Sequence, residues 1–137
     1  MEKTQYGYRV KTRSTFDEAV TQATEALAAE GFGILTEIDV RATLKKKINL
    51  DFRRYLILGA CNPHLASRML AEELDIGLLM PCNAIVYEND DGTATVSLLS
   101  AKAMADVTGR DDLTSIVDEA EERILCVVSA LDRQIAV

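Results

Sequence analysis

Two short stretches carry most of the reactive side chains of this chain: Gly59-Ala60-Cys61-Asn62-Pro63-His64 and Leu79-Met80-Pro81-Cys82-Asn83. Together they hold two of the three cysteines, both prolines and the only histidine. Asn62 is a good helix N-cap and Pro63 suits the first helical position. Cys61 therefore sits beside the positive end of a helix, where a thiolate is favoured. His64, one residue after Pro63, is near enough to hydrogen-bond to it or to share a metal. Cys61, His64 and Cys82 are three ligands of the soft type that zinc, iron or copper can use, with water or a carboxylate as a fourth. Cys61 and Cys82 could instead form a redox-switchable disulfide. A third reading makes Cys61, Asn62, His64, Cys82 and Asn83 the polar anchors of a small-molecule pocket. The plain alternative is structural: cysteines fill strand ends well, Asn62 and Asn83 cap backbone, and His64 points to water. The residues leave all of these open.

A second group is basic. Between Asp39 and Arg54 there are six basic residues against two acids, so this segment carries +4 inside a chain of net charge −7 and leaves −11 for the remainder. Lys45, Lys47, Arg53 and Arg54 could grip a small carboxylate or phosphate, for which the planar arginine fork is suited. A solvated helix face is the competing reading. The acidic balance and the absence of Trp argue against nucleic-acid binding, which draws its affinity from neutralised phosphates. No apolar run reaches the length of a membrane span, and the N-terminus enters a strand-like segment with no signal-type apolar region, so no membrane partner and a cytoplasmic location are expected. Three cysteines do not make a disulfide framework. No P-loop, dinucleotide glycine pattern or His-x-x-x-His motif occurs, and nothing marks Ser67, Ser97 or Ser100 as a nucleophile. Whether the protein is an enzyme, and which cofactor it would use, the residues leave undecided.

The elements that must position these groups follow from periodicity. Tyr6–Thr12 alternates as a half-buried strand. Thr15-Phe16-Asp17-Glu18 has capping-box spacing and opens a helix that Gly31 closes. Gly33–Val40 reads as a strand with Ile34, Ile38 and Val40 on one face. Val40, Leu44 and Ile48 then predict a short helix with its lysines toward solvent. Tyr55–Ala60 is apolar on both faces and belongs inside a sheet. The helix from Pro63 comes next, then a strand Leu78–Glu88 containing Pro81, whose presence implies an edge, a bulge or the strand's beginning. Asn89-Asp90-Asp91-Gly92 turns into a returning strand with Thr93, Thr95 and Ser97 toward water. Ala101–Gly109 reads as a loop or irregular helical segment. From about Asp112 a long helix carries Leu113, Ile116, Val117, Ala120, Ile124, Val127, Val128 and Leu131 as one stripe, leaving Cys126 and Glu121 off it. Truncating Glu121 is accordingly expected to cost little.

The resulting order, β-α-β-(α)-β-α-β-β-α, predicts an α+β fold: one mainly antiparallel sheet with helices packed on one face, formed by a single domain over residues 1–137. In Ile38-Asp39-Val40, Phe52-Arg53-Arg54-Tyr55, Gly59-Ala60-Cys61-Asn62-Pro63 and Pro81-Cys82-Asn83-Ala84-Ile85-Val86-Tyr87-Glu88 the chain resembles the bacterial and archaeal domain-of-unknown-function family 302, roughly from Tyr6 to the last helix. Met80 departs from the leucine expected before the proline, a swap that conserves volume. The resemblance implies an α+β domain and leaves activity open. Two functions of different class remain. One is a protein that binds a small ligand or metal, with possible thiol redox chemistry, around Cys61, His64, Cys82 and Asn83. The other is a non-catalytic oligomeric structural or interaction module without a cofactor. A homodimer is expected in either case, because a sheet of this kind leaves an edge to be covered.

Overall fold

The computed structural model describes residues 1–135. Its six strands are β1 (Glu2–Lys3), β2 (Gly7–Lys11), β3 (Gly33–Asp39), β4 (Tyr55–Cys61), β5 (Cys82–Glu88) and β6 (Ala94–Leu99). They form one antiparallel sheet in the order β1-β2-β6-β5-β4-β3. The helices are α1 (Phe16–Ala29), α2 (Val40–Ile48), α3 (Pro63–Glu72), α4 (Ala101–Thr108) and α5 (Thr114–Ile135). This is the expected α+β architecture, with β1 added at one edge and a regular helix where a loop or irregular helical segment was expected after Ser100. Ser100 makes that helix possible by accepting the Ala103 N–H as its N-cap.

Strand alternation sets the two faces. Tyr8, Val10, Leu58, Ala60, Ala84, Val86, Val96 and Leu98 are buried on the same side, and α1 and α5 lie against it. From α1 come Phe16, Ala19, Ala23, Ala26 and Leu27; from α5 come Ile116, Val117, Ile124, Val127, Val128 and Leu131. The first helix begins on its expected capping box, with Thr15 accepting from Glu18 N–H and Glu18 reaching back to Thr15 N–H. It ends where Gly31 takes a φ of +83°, which lets Phe32 N–H return to the Leu27 carbonyl at 2.9 Å. The opposite face of the sheet is more open, although Thr95 on that side is buried, its hydroxyl donating to Asn89 Oδ1 at 2.9 Å.

Three expectations need correction. The segment Leu78–Pro81 is not strand: a 3-10 turn covers Leu74–Leu79, and β5 starts at Cys82. Pro81 lacks an N–H for the ladder, so pairing begins just after it. In β3 the register slips between Ile34 and Thr36, leaving Leu35 as an unpaired bulge. Ile34 consequently pairs with buried Ala60 while Ile38 pairs with Ile57 on the other face, so the two do not share a side. In α5, Glu121 is only 4% exposed. It lies four residues after Val117 and three before Ile124, which places it on the buried stripe rather than beside it. The expectation that it could be truncated cheaply does not hold for a carboxylate in that position.

Candidate functional site

The Gly59-to-Pro63 turn is built from backbone outward. Asn62 ends β4 and caps α3: its Oδ1 accepts the Leu65 N–H at 3.3 Å, and its Nδ2 donates to the Glu30 carbonyl at 3.3 Å. One buried amide thus ties the end of α1 to the start of α3. A Cβ on neighbouring Gly31 would stand 2.9 Å from that Nδ2, so glycine is required there for space as well as for its positive φ. Gly59 has a comparable role. A Cβ on it would meet Thr36 Oγ1 at 2.2 Å and the Pro81 ring at 2.9 Å.

Behind this turn lies a cavity of about 300 Å³. The end of β4 and the start of β5 supply Cys61 and Cys82, while α3, α4 and α5 supply apolar walls such as Leu65, Met104 and Val117. Among the described residues no charged side chain and no imidazole lines it; the polar groups are Asn62 and the two thiols. Leu35 and Leu70, which also line it, are exposed. Both cysteines are free thiols and half-buried. Burial first, then the proximity of Cys61 and of Glu121, pushes the Cys82 thiol up from its ordinary value. At neutral pH Cys82 is therefore held as a thiol, the less nucleophilic form.

Not all of the candidates meet here. Cys61, Asn62 and Cys82 line the cavity, but His64 is exposed on α3 and Asn83 is exposed on the opposite face of the sheet, beside Tyr6 and Ser97. The reason is the side-chain period: Asn83 follows Cys82 along β5, and neighbours in a strand point to opposite faces. Among the described residues no three His, Cys, Asp or Glu side chains are gathered as a metal site would need. The set Cys61, His64 and Cys82 is thus not assembled. The basic candidates are dispersed as well. Lys45 pairs with Asp51 at 2.9 Å, Arg53 with Asp90 at 3.5 Å and the Glu88 carbonyl at 3.0 Å, and Arg54 with Asp17 at 2.8 Å while its guanidinium covers the Phe16 ring. Lys47 stands exposed on α2. These four do not converge on one anion position.

A family model described as "Domain of unknown function DUF302" matches residues 8–131. The chain belongs to the DUF302 family. Among solved structures it is similar to an uncharacterized conserved DUF302 protein from Bacillus stearothermophilus, with 30% identity and a TM-score of 0.82 over 95% of this chain and 98% of that one. No curated protein matches it. No helix among the described residues of this DUF302 chain is long and apolar enough to cross a membrane.

One buried polar cluster of the DUF302 chain lies outside both motifs. The Glu121 carboxylate accepts from Ser100 Oγ at 2.8 and 3.1 Å and from the Lys102 N–H at 2.8 Å. It thereby occupies the N-terminus of α4, where backbone N–H groups favour an anion. Burial, followed by the adjacent Glu121 carboxylate, raises the Tyr8 phenol. Helix α4, which carries Ala101 and Met104 into the cavity wall, is anchored through this cluster. The sequence signal was present: a carboxylate recurring in phase with Val117, Ile124 and Val128.

Proposed function

We propose that this DUF302 protein binds a small, uncharged, mainly apolar molecule in the cavity between the β4–β5 ends and helices α3, α4 and α5. The observation that carries the reading is a concavity of about 300 Å³ with apolar and sulfur-bearing walls and, among the described residues, no charged side chain. Ligand pockets have this character and begin at about this size. A charged ligand would lose its hydration there without recovering a partner. The two thiols and the Asn62 amide are then polar marks on an otherwise apolar wall. Because Asn62 is already engaged with backbone at both ends of its amide, Cys61 and Cys82 are the groups left to orient a ligand.

The test is titration with an uncharged fluorescent dye such as phenylnaphthylamine. The parent protein should bind it with fluorescence enhancement. Ala66→Phe and Ala120→Phe, which place a ring in the cavity, should each weaken binding by about tenfold or more, equivalent to about 1.4 kcal/mol. Unchanged affinity in both variants, with native circular dichroism, would refute the reading.

A second reading, self-association, is favoured by a different observation. Leu35, Ile38, Ile48, Leu50 and Phe52, all between the start of β3 and the loop after α2, are exposed, and α2 contributes no buried residue. Exposed apolar side chains concentrated in one segment point to an interaction surface. Sedimentation at tens of micromolar should then show a dimer that Ile48→Lys disperses; a monomer for the parent protein would eliminate it.

A further inference from the structure

The cavity is unusual in its sulfur. The chain has three cysteines and four methionines, and all but Cys126 and Met1 line this one space: Cys61, Cys82, Met69, Met80 and Met104. Oxygen and nitrogen donors are nearly absent from the lining, and the Asn62 amide is occupied with backbone. We infer that the cavity is a site for one soft monovalent cation of the cuprous class, held by the sulfurs of Cys61 and Cys82 with a methionine thioether, Met80 being next to Pro81-Cys82 in the chain. The inference goes beyond the organic ligand proposed above and concerns the same space, so the two occupants compete.

Donor chemistry selects the ion. Thiolate and thioether ligands favour Cu(I), whereas hard divalent ions need oxygen and zinc prefers four nitrogen, sulfur or oxygen ligands. No group of three His, Cys, Asp or Glu is present among the described residues to satisfy a divalent ion. Charge is compatible with that choice. One cuprous ion replacing one thiol proton forms a sulfur–copper bond and releases one H⁺, with no change of oxidation state. The product, a thiolate–copper unit completed by a neutral thiol or thioether, carries no net charge and suits an apolar wall.

The experiment is anaerobic titration of the reduced protein against Cu(I) buffered by bicinchoninate. The parent protein should withdraw one equivalent and develop ultraviolet thiolate-to-copper absorption. Cys126→Ser should behave like the parent, Met80→Leu should bind more weakly, and Cys61→Ser with Cys82→Ser should lose the ion. Should that double variant fail to fold, alkylation mapped by mass spectrometry on the parent protein decides instead: bound copper should protect Cys61 and Cys82 and leave Cys126 reactive. No withdrawal from the chelator, or protection of Cys126 alone, overturns the inference. So does equal binding by a folded double serine variant. Retained dye binding in a protein that fails to take copper removes the ion and leaves the apolar-ligand reading intact; copper binding without dye binding does the reverse.

Discussion

Replacing Glu121 by alanine should destabilise this protein more than any other single acidic-to-alanine change in α5. The carboxylate is 4% exposed and accepts from two donors, the Ser100 hydroxyl, which lies within reach of both carboxylate oxygens, and the Lys102 N–H. Its loss leaves the Ser100 hydroxyl, which is buried, and the Lys102 N–H, which is partly buried, without their acceptor. A donor stranded in that way costs about 1–3 kcal/mol. Ser100 can turn its hydroxyl toward other acceptors and water can reach Lys102, so each donor falls toward the lower half of that range. The truncated side chain also leaves a small void. The expected loss is about 2–4 kcal/mol, a fall in Tm of roughly 10 °C for a chain of this size. Glu121→Gln keeps one carbonyl oxygen but turns an amide NH₂ toward existing donors, and should lose about half as much. Glu122→Ala, one residue along and exposed, should stay within about 0.5 kcal/mol of the parent. Urea unfolding followed by circular dichroism measures all three. A double-mutant cycle with Ser100→Ala should return a coupling of about 1 kcal/mol or more. Equal, small effects at Glu121 and Glu122, or a coupling near zero, would refute the reasoning.

Ile124→Ala, at a position 3% exposed on the same helix, should cost about 2–5 kcal/mol in the same assay. Asn62→Ala should cost about 2 kcal/mol, about one for the lost cap and about one for the lost bond to Glu30; Asn62→Asp, which keeps the acceptor and removes the donor, should retain part of that. In timed alkylation of the native protein, exposed Cys126 should react first and Cys82 last. Because burial raises the Cys82 thiol in the folded protein, the unfolded chain loses this proton first. Stability from this group is therefore complete below the ordinary thiol value of 9.0 and declines as pH rises through and above it. Cys82→Ala should flatten that alkaline decline in a pH series of unfolding curves.

Much of the fold was legible because its signals are local. The Thr15 capping box, the Gly31 terminus, the Asn62-Pro63 helix start and the α5 stripe each depend on residues within a few positions of one another. The misreadings arose where distant partners decide. The β3 bulge at Leu35 is imposed by pairing with β4, and no alternation within Gly33–Val40 reveals it. Cys61 and Cys82 share a cavity because β4 and β5 are neighbours, with Ala60 opposite Cys82. His64 and Asn83 were grouped with them by closeness along the chain, yet one residue of helix or strand is enough to turn a side chain away. Lys45, Arg53 and Arg54 looked like free charge until Asp51, Asp90 and Asp17 were brought beside them by the fold. Glu121 was a failure of a different kind. The helical period contained it, and polarity alone was allowed to assign it to the surface.

The missing side chain of Gly59 has a consequence for how changes in this protein combine. The space that a Cβ would take is shared by the Thr36 hydroxyl from β3 and the Pro81 ring from the approach to β5, so three segments far apart in sequence meet over one glycine. Any residue larger than glycine at 59 has to displace two of them at once, whereas smaller residues at 36 and 81 free the same volume. Substitutions at these positions should therefore not act independently: Gly59→Ala in the parent background and Gly59→Ala accompanied by Thr36→Gly are different perturbations, and the second should be milder than the first. For anyone recombining segments from related chains, residues 36, 59 and 81 should be exchanged together.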